Sequence, residues 1–164
     1  ALEGMRLVKD GLVRAVADGT DMEARAWMMA AAAMGAVAFQ KGLGGIHAVS
    51  HPVGALYDTH HGLTNAVFMP YVLVHNRPAI AGRLARAAAY LELPASFEGF
   101  LDWVLELRAA VGVPHTLPAF GVDDSRFAEI AAMAVVDPTA GGNPLPLDEA
   151  AALAILAAAR DGRL

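Results

Sequence analysis

Between Gly42 and Asn76 the only charged side chain is Asp58, yet this stretch carries five of the chain's six histidines, at positions 47, 51, 60, 61 and 75. A run so poor in charge belongs inside a fold. Imidazoles taken inside with it need partners, because an unpaired buried polar group costs about 1–3 kcal/mol. Several imidazoles converging with few carboxylates nearby most naturally share a cation. A metal site within GGIHAVSHPVGALYDTHHGLTN is therefore the first functional expectation.

The pattern around this stretch is helical throughout. Leu2, Met5, Leu7, Val8, Leu12, Val13 and Val16 recur largely at i, i+3 and i+4 spacing over 1–17. Asp18-Gly19 ends that helix, and Asp21 is placed to cap a second one running to Phe39. AWMMAAAAMGAVAF puts apolar residues on most of the second helix's circumference, which predicts a position inside a bundle. Gly42, Gly44 and Gly45 break the pattern and allow close backbone approach. A third helix then carries His47 and His51 and ends near Tyr57, with Pro52 expected to kink or shorten it.

Five further helices complete the expectation: one from Gly62 to Asn76 bent at Pro70, one from Pro78 to Leu91, one capped by Ser96, one capped by Asp123 and one capped by Asp148. Strand signals are weak everywhere. The fold class expected is an all-α bundle of about eight helices in one domain, with no internal repeat.

Composition narrows the function classes. Net charge is −5 with no basic cluster, so nucleic-acid binding has no electrostatic footprint. Cysteine is absent, which excludes disulfides, thiolate metal sites and cysteine nucleophiles. The longest uncharged helical run, Ala26 to Gln40, is shorter than the roughly 20 residues a membrane span requires. No signal peptide opens the chain, and cytoplasm is the expected compartment. Hydrophobic residues make up 56%, more than the 45–50% or so typical of soluble domains. The surplus predicts that part of the surface meets another domain or subunit. The opening ALEGMRLVKDGLV is already helical, without initiator Met or cap, as expected for part of a longer protein.

His47 and His51 lie four apart, on one helix face, about 6 Å from each other. Two imidazoles so placed form half of a common divalent-metal arrangement, and they also suit two core histidines with ordinary partners. His61 follows a turn at Tyr57-Asp58-Thr59 that can fold it back towards the pair. An HExxH hydrolase is excluded by Ala48, and no GxSxG elbow or GxGxxG fingerprint is present. Tyr57 is read as a packed aromatic or a proton donor, Asp58 as a helix-terminal cap or an acceptor behind a ligand, and GGNP at 141–144 as a loop or a phosphate contact.

FQKGLGGIHAVSHPVGALYDTHHGLTNAVFMPYVLVHN resembles the central signature of the iron-containing (group III) alcohol dehydrogenases. The two preceding helices and DPTAGGNPLPLDEAAALAILAAA extend the likeness over essentially the whole chain. The resemblance implies the C-terminal helical domain of such an enzyme, of the dehydroquinate synthase-like type, occupying residues 1–164. It places the glycine-rich nucleotide domain upstream of Ala1. It implies a metal, iron(II) or zinc, held by three histidines and one aspartate, of which His47 and His61 are two. The other two ligands also fall upstream. His51 is implied to lie close to the nicotinamide of NAD or NADP and to position it or relay a proton. His60 stands where other members often have proline, and receives no ligand role.

The reaction implied is hydride transfer between an alcohol or aldehyde and nicotinamide, in a homo-oligomeric protein. With two of four ligands and no nucleotide domain, the chain alone is expected to bind metal weakly and to be inactive. Alternatives are another superfamily member, such as glycerol dehydrogenase or maleylacetate reductase, or a non-catalytic helical interaction domain.

Overall fold

The computed structural model describes residues 1–164 as seven α-helices and two single 3-10 turns, without strands. The helices are α1 (Leu2–Ala17), α2 (Met22–Phe39), α3 (Gly45–Tyr57), α4 (His61–Tyr90), α5 (Phe97–Ala110), α6 (Phe127–Val136) and α7 (Glu149–Asp161). Two compact units divide the chain. One comprises Ala1–Lys41 with Ala81–Gly112, the other Gly42–Ile80 with Val113–Leu164.

Three of the expected caps form. The side chains of Asp21, Ser96 and Asp148 accept from the backbone N–H groups of Ala24, Gly99 and Ala151 at 3.0, 2.9 and 2.8 Å. Asp123 does not cap. The residue before α6 is Arg126, which makes no side-chain cap, and Asp123 instead accepts from the backbone N–H of Ser125 and the hydroxyl of Tyr57. An aspartate that closes its own local turn is withdrawn from the helix that follows.

The count of helices is seven rather than eight because the expected fourth and fifth are one. α4 runs through Pro70 and Pro78 without a break. Pro52 likewise lies inside α3 and is buried there. A proline costs a helix one backbone bond and strains one turn. Around Pro52 and Pro70 the flanking faces bury Val49, Val53, Val67, Phe68, Tyr71 and Val72, and that burial outweighs the lost bond.

In the first unit α1 and α2 form a hairpin. Gly4, Leu7 and Gly11 of α1 and Ala24 and Ala31 of α2 are the buried residues of the pair. A Cβ on Gly4 would stand 3.3 Å from that of Met34, and one on Gly11 would stand 3.1 Å from Trp27, so bare backbone sets the closeness of this pair. The contact uses only a narrow stripe of α2. Met22, Met29 and Val37 are each more than 70% exposed, and Phe39 is half exposed. The expectation that α2 lies inside a bundle is corrected within this chain: α2 has one buried edge, and it packs on α1.

The second unit contains the continuous apolar core. Val49 and Val53 of α3, Val67, Phe68 and Tyr71 of α4, Ile130 and Ala134 of α6 and Ile155 and Leu156 of α7 are all at or near complete burial in one cluster. Asn143 fastens this unit. Its Oδ1 accepts from the backbone N–H of Gly45 at 2.9 Å and from Asn76 Nδ2 at 2.8 Å. Its Nδ2 donates to Asn76 Oδ1 and to the Leu145 carbonyl, both at 2.8 Å. A Cβ on Gly45 would come within 2.9 Å of Asn143 Oδ1, which is the close approach expected of the glycine run.

Candidate metal centre

α3 turns Ala48, Val49, Pro52 and Val53 into the core of the second unit. His47 and His51, one helical turn apart, therefore lie on its outer flank, where His47 is half-buried and His51 exposed. Asp58 ends α3 in the left-handed conformation, at φ 52°, and the chain reverses to begin α4 at His61. His60 Nδ1 accepts from the backbone N–H of Leu63 at 3.2 Å, so this histidine caps α4.

The reversal gathers three imidazoles. Ring centroids lie 5.2 Å apart for His47 and His61, 5.5 Å for His51 and His61, and 5.6 Å for His47 and His51. The expectation that the charge-free run is wholly interior holds for one face only. Ala48, Val49 and Val53 of α3 and Val67, Phe68, Tyr71 and Val72 of α4 are buried, whereas His51 and His61 are open to solvent. His75 is the member set apart: its Nε2 is enclosed and meets no hydrogen-bond partner.

Two nitrogens converge on one atom. Asn65, one turn into α4, brings Nδ2 to 3.2 Å from His47 Nε2 and 3.0 Å from His61 Nε2. Its Oδ1 accepts from Ser50 Oγ at 2.5 Å. Both Nε2 atoms thus present their lone pairs towards a common point. Burial holds the His47 pKa below the ordinary imidazole value, helped by His61 and His51 and opposed by Asp137. A neutral imidazole is the form that binds a metal. The donor chemistry fits a divalent cation held in part by His47 and His61. Within this chain no set of three or more histidine, aspartate or glutamate side chains is arranged to complete such a site.

His51 faces a different partner. Its Nδ1 lies 2.8 Å from Asp137 Oδ2, while Asp137 Oδ1 accepts from the Thr139 backbone N–H at 2.8 Å and its hydroxyl at 2.6 Å. Burial works against the charge on Asp137, but the bonds from Thr139 and His51 prevail and hold its carboxyl below the usual range. An ionised carboxylate only accepts, so His51 Nδ1 carries the proton and Nε2 is left as the basic nitrogen. Neither Asp137 nor Asn65 stands out in the sequence. Asp137 is 86 residues from His51, and DPT is the only local hint, since aspartate two before threonine favours a self-closing turn that aims the free oxygen outward.

The remaining candidates have structural occupations. Tyr57 donates to Asp123 Oδ1 at 2.8 Å, Asp58 terminates α3, and in GGNP the asparagine ties α3 to α4. No helix is long and apolar enough to cross a membrane.

Residues 1–160 match the Fe-containing alcohol dehydrogenase family, C-terminal. A 4-hydroxybutyrate dehydrogenase of Cupriavidus necator is 38% identical over 153 residues, a match that takes in 88% of this chain and 40% of the relative. Among solved structures, a 1,3-propanediol oxidoreductase superposes with a TM-score of 0.92 at 31% identity, covering 96% of this chain and 44% of that one. The maleylacetate reductase of Rhizobium sp. strain MTP-10005 superposes with a TM-score of 0.83 at 25% identity, covering 99% and 45%. The chain thus spans less than half the length of these proteins. It belongs to the iron-containing alcohol dehydrogenase family, whose C-terminal part it matches from end to end of its helical fold.

Proposed function

We propose that residues 1–164 are the metal-binding helical domain of an iron-dependent, NAD(P)-linked alcohol dehydrogenase, working with a nucleotide-binding domain supplied by a longer chain. The observation that carries this reading is the convergence of His47 Nε2 and His61 Nε2 on a single point. In this reading these two nitrogens hold iron(II), or zinc, together with ligands from outside the chain. When bound, a divalent ion so held would supply Lewis acidity towards an alcohol or carbonyl oxygen, and a nicotinamide would supply the hydride chemistry.

His51 has the means to move the proton that accompanies hydride transfer. Asp137 fixes the ring with Nδ1 protonated, so Nε2 takes a proton when an alcohol is oxidised and returns it when an aldehyde is reduced. Its partial exposure gives that proton an outlet to water. His47, more buried and held neutral, keeps its lone pair for the cation.

Maleylacetate reduction is the second reading, supported by the likeness to the Rhizobium enzyme. One set of variants in the full-length protein tests the role of each histidine. His61→Ala should remove metal and activity together. His51→Ala should leave the metal bound and slow turnover by about 100- to 10,000-fold, the usual contribution of a general acid–base group. Metal content and turnover are measured on the same preparations, against a panel of alcohols and keto acids that separates the two readings. An empty site in His51→Ala beside a filled one in His61→Ala would reverse the assignment.

A further inference from the structure

Asn65 meets both imidazoles at the nitrogens that the ligand reading assigns to the cation, with Nδ2 at 3.2 Å from His47 Nε2 and 3.0 Å from His61 Nε2. An unprotonated imidazole nitrogen has a single lone pair. A lone pair that receives an amide N–H is not at the same time available to a cation. The two protons of one amide group and a divalent cation therefore compete for the same two nitrogens. The amide is also aimed: Ser50 Oγ donates to Asn65 Oδ1, which turns the NH2 group towards the histidines. Ser50 is itself buried at 1% exposure, and its hydroxyl also reaches the His47 carbonyl at 3.3 Å.

Resting on the reading of His47 and His61 as ligands, we propose that Asn65 is the cation's stand-in. In the metal-free protein its NH2 group occupies both lone pairs and keeps the two rings converged across the turn between α3 and α4. On binding, the amide yields both nitrogens to the cation. Ser50 is the positioning residue for this exchange.

Bonds present only in the metal-free state stabilise that state alone and so oppose binding. Each relinquished neutral hydrogen bond is worth a few-fold in an equilibrium constant, so deleting the amide should tighten divalent-cation binding by about tenfold. A residue that supports the ligands from behind in the bound state gives the opposite result, a weakening of about 10- to 100-fold on its removal.

The experiment uses the full-length protein stripped of metal, with Zn2+ alone as the probe. Its Kd is obtained by competition with a chromophoric chelator, and Tm is measured with and without Zn2+. Asn65→Ala should bind Zn2+ about tenfold more tightly than wild type, with a lower metal-free Tm and a wider zinc-induced rise. Ser50→Ala fills the same space with little disturbance and should move both quantities the same way by a smaller amount; it decides the matter if Asn65→Ala does not fold. Unchanged or weaker Zn2+ binding in these variants, while His61→Ala still abolishes binding, overturns the role of Asn65 and leaves the ligand reading intact. Wild type that binds no more Zn2+ than His61→Ala overturns the ligand reading, and the stand-in with it.

Discussion

The two compact units draw on the same alanine- and valine-rich vocabulary and use it in opposite ways. In the unit of Gly42–Ile80 with Val113–Leu164, apolar residues from α3, α4, α6 and α7 close into one cluster, with Val49, Phe68, Ile130 and Leu156 wholly enclosed. In the unit of Ala1–Lys41 with Ala81–Gly112, α2 is largely apolar in sequence, yet it buries only Ala24 and Ala31. The difference lies in the number of partners each helix has. A helix apolar on all sides needs neighbours on all sides, and α2 has α1 along one edge. The polar contacts divide less sharply. The second unit is fastened by bonds spanning 66 to 98 residues, from Asn143, Asp137 and Tyr57. The first carries short-range surface pairs, Arg6 with Glu3 and Asp10 and Arg14 with Asp21 and Glu23, and one exposed long-range bond, in which the Tyr90 hydroxyl donates to Glu3 at 3.0 Å.

The sharpest way to break this contrast is a pair of truncations. Phe68→Ala, in the enclosed cluster, should cost about 3–5 kcal/mol, since its cavity has no room to collapse. Met29→Ala, at 76% exposure on α2, should change stability by no more than about 0.5 kcal/mol. Denaturant unfolding of both measures the difference. Equal losses would mean that the outward face of α2 is covered in solution, and the contrast between the units would fall.

A smaller effect is expected from the fastening residue. Asn143→Ala removes four hydrogen bonds and strands the buried side chain of Asn76, for an expected loss of about 2–3 kcal/mol. A double variant with Asn76→Ala should recover part of this loss, because the stranded partner is then gone. Full additivity of the two would show that the pair does not act as one device.

The smallest effect carries a pH signature. Asp137→Asn exchanges a charged acceptor for a neutral one beside His51 Nδ1 and should cost about 1–2 kcal/mol at neutral pH. The folded carboxyl titrates below its ordinary value. Its contribution is therefore complete above the unfolded carboxylate pKa of about 3.9 and is lost as pH falls through the depressed folded value. Wild type and variant should accordingly converge in stability at strongly acid pH and separate above it. A gap that stayed constant down to acid pH would assign the loss to packing instead of charge.

Much of this was open to reading along the chain, and the reason is locality. Caps at Asp21, Ser96 and Asp148 act within three residues, helical periodicity acts within one or two turns, and His47 with His51 share a face by spacing alone. The corner that returns His61 to that pair is also local, a single turn between adjacent helices. By itself the sequence thus determined the all-helical class, the gathering of the three histidines and the family they resemble. Tertiary structure decided everything that depends on distant partners. Whether proline ends a helix depended on how much apolar surface its flanks bury elsewhere, and Pro70 and Pro78 passed inside α4. Whether an apolar helix is interior depended on its neighbours, and α2 stayed largely exposed. The partners that the histidines meet, Asp137 across 86 residues and Asn65 across the corner, follow from packing, because a hydrogen bond is a statement about position in space and leaves no period in the chain.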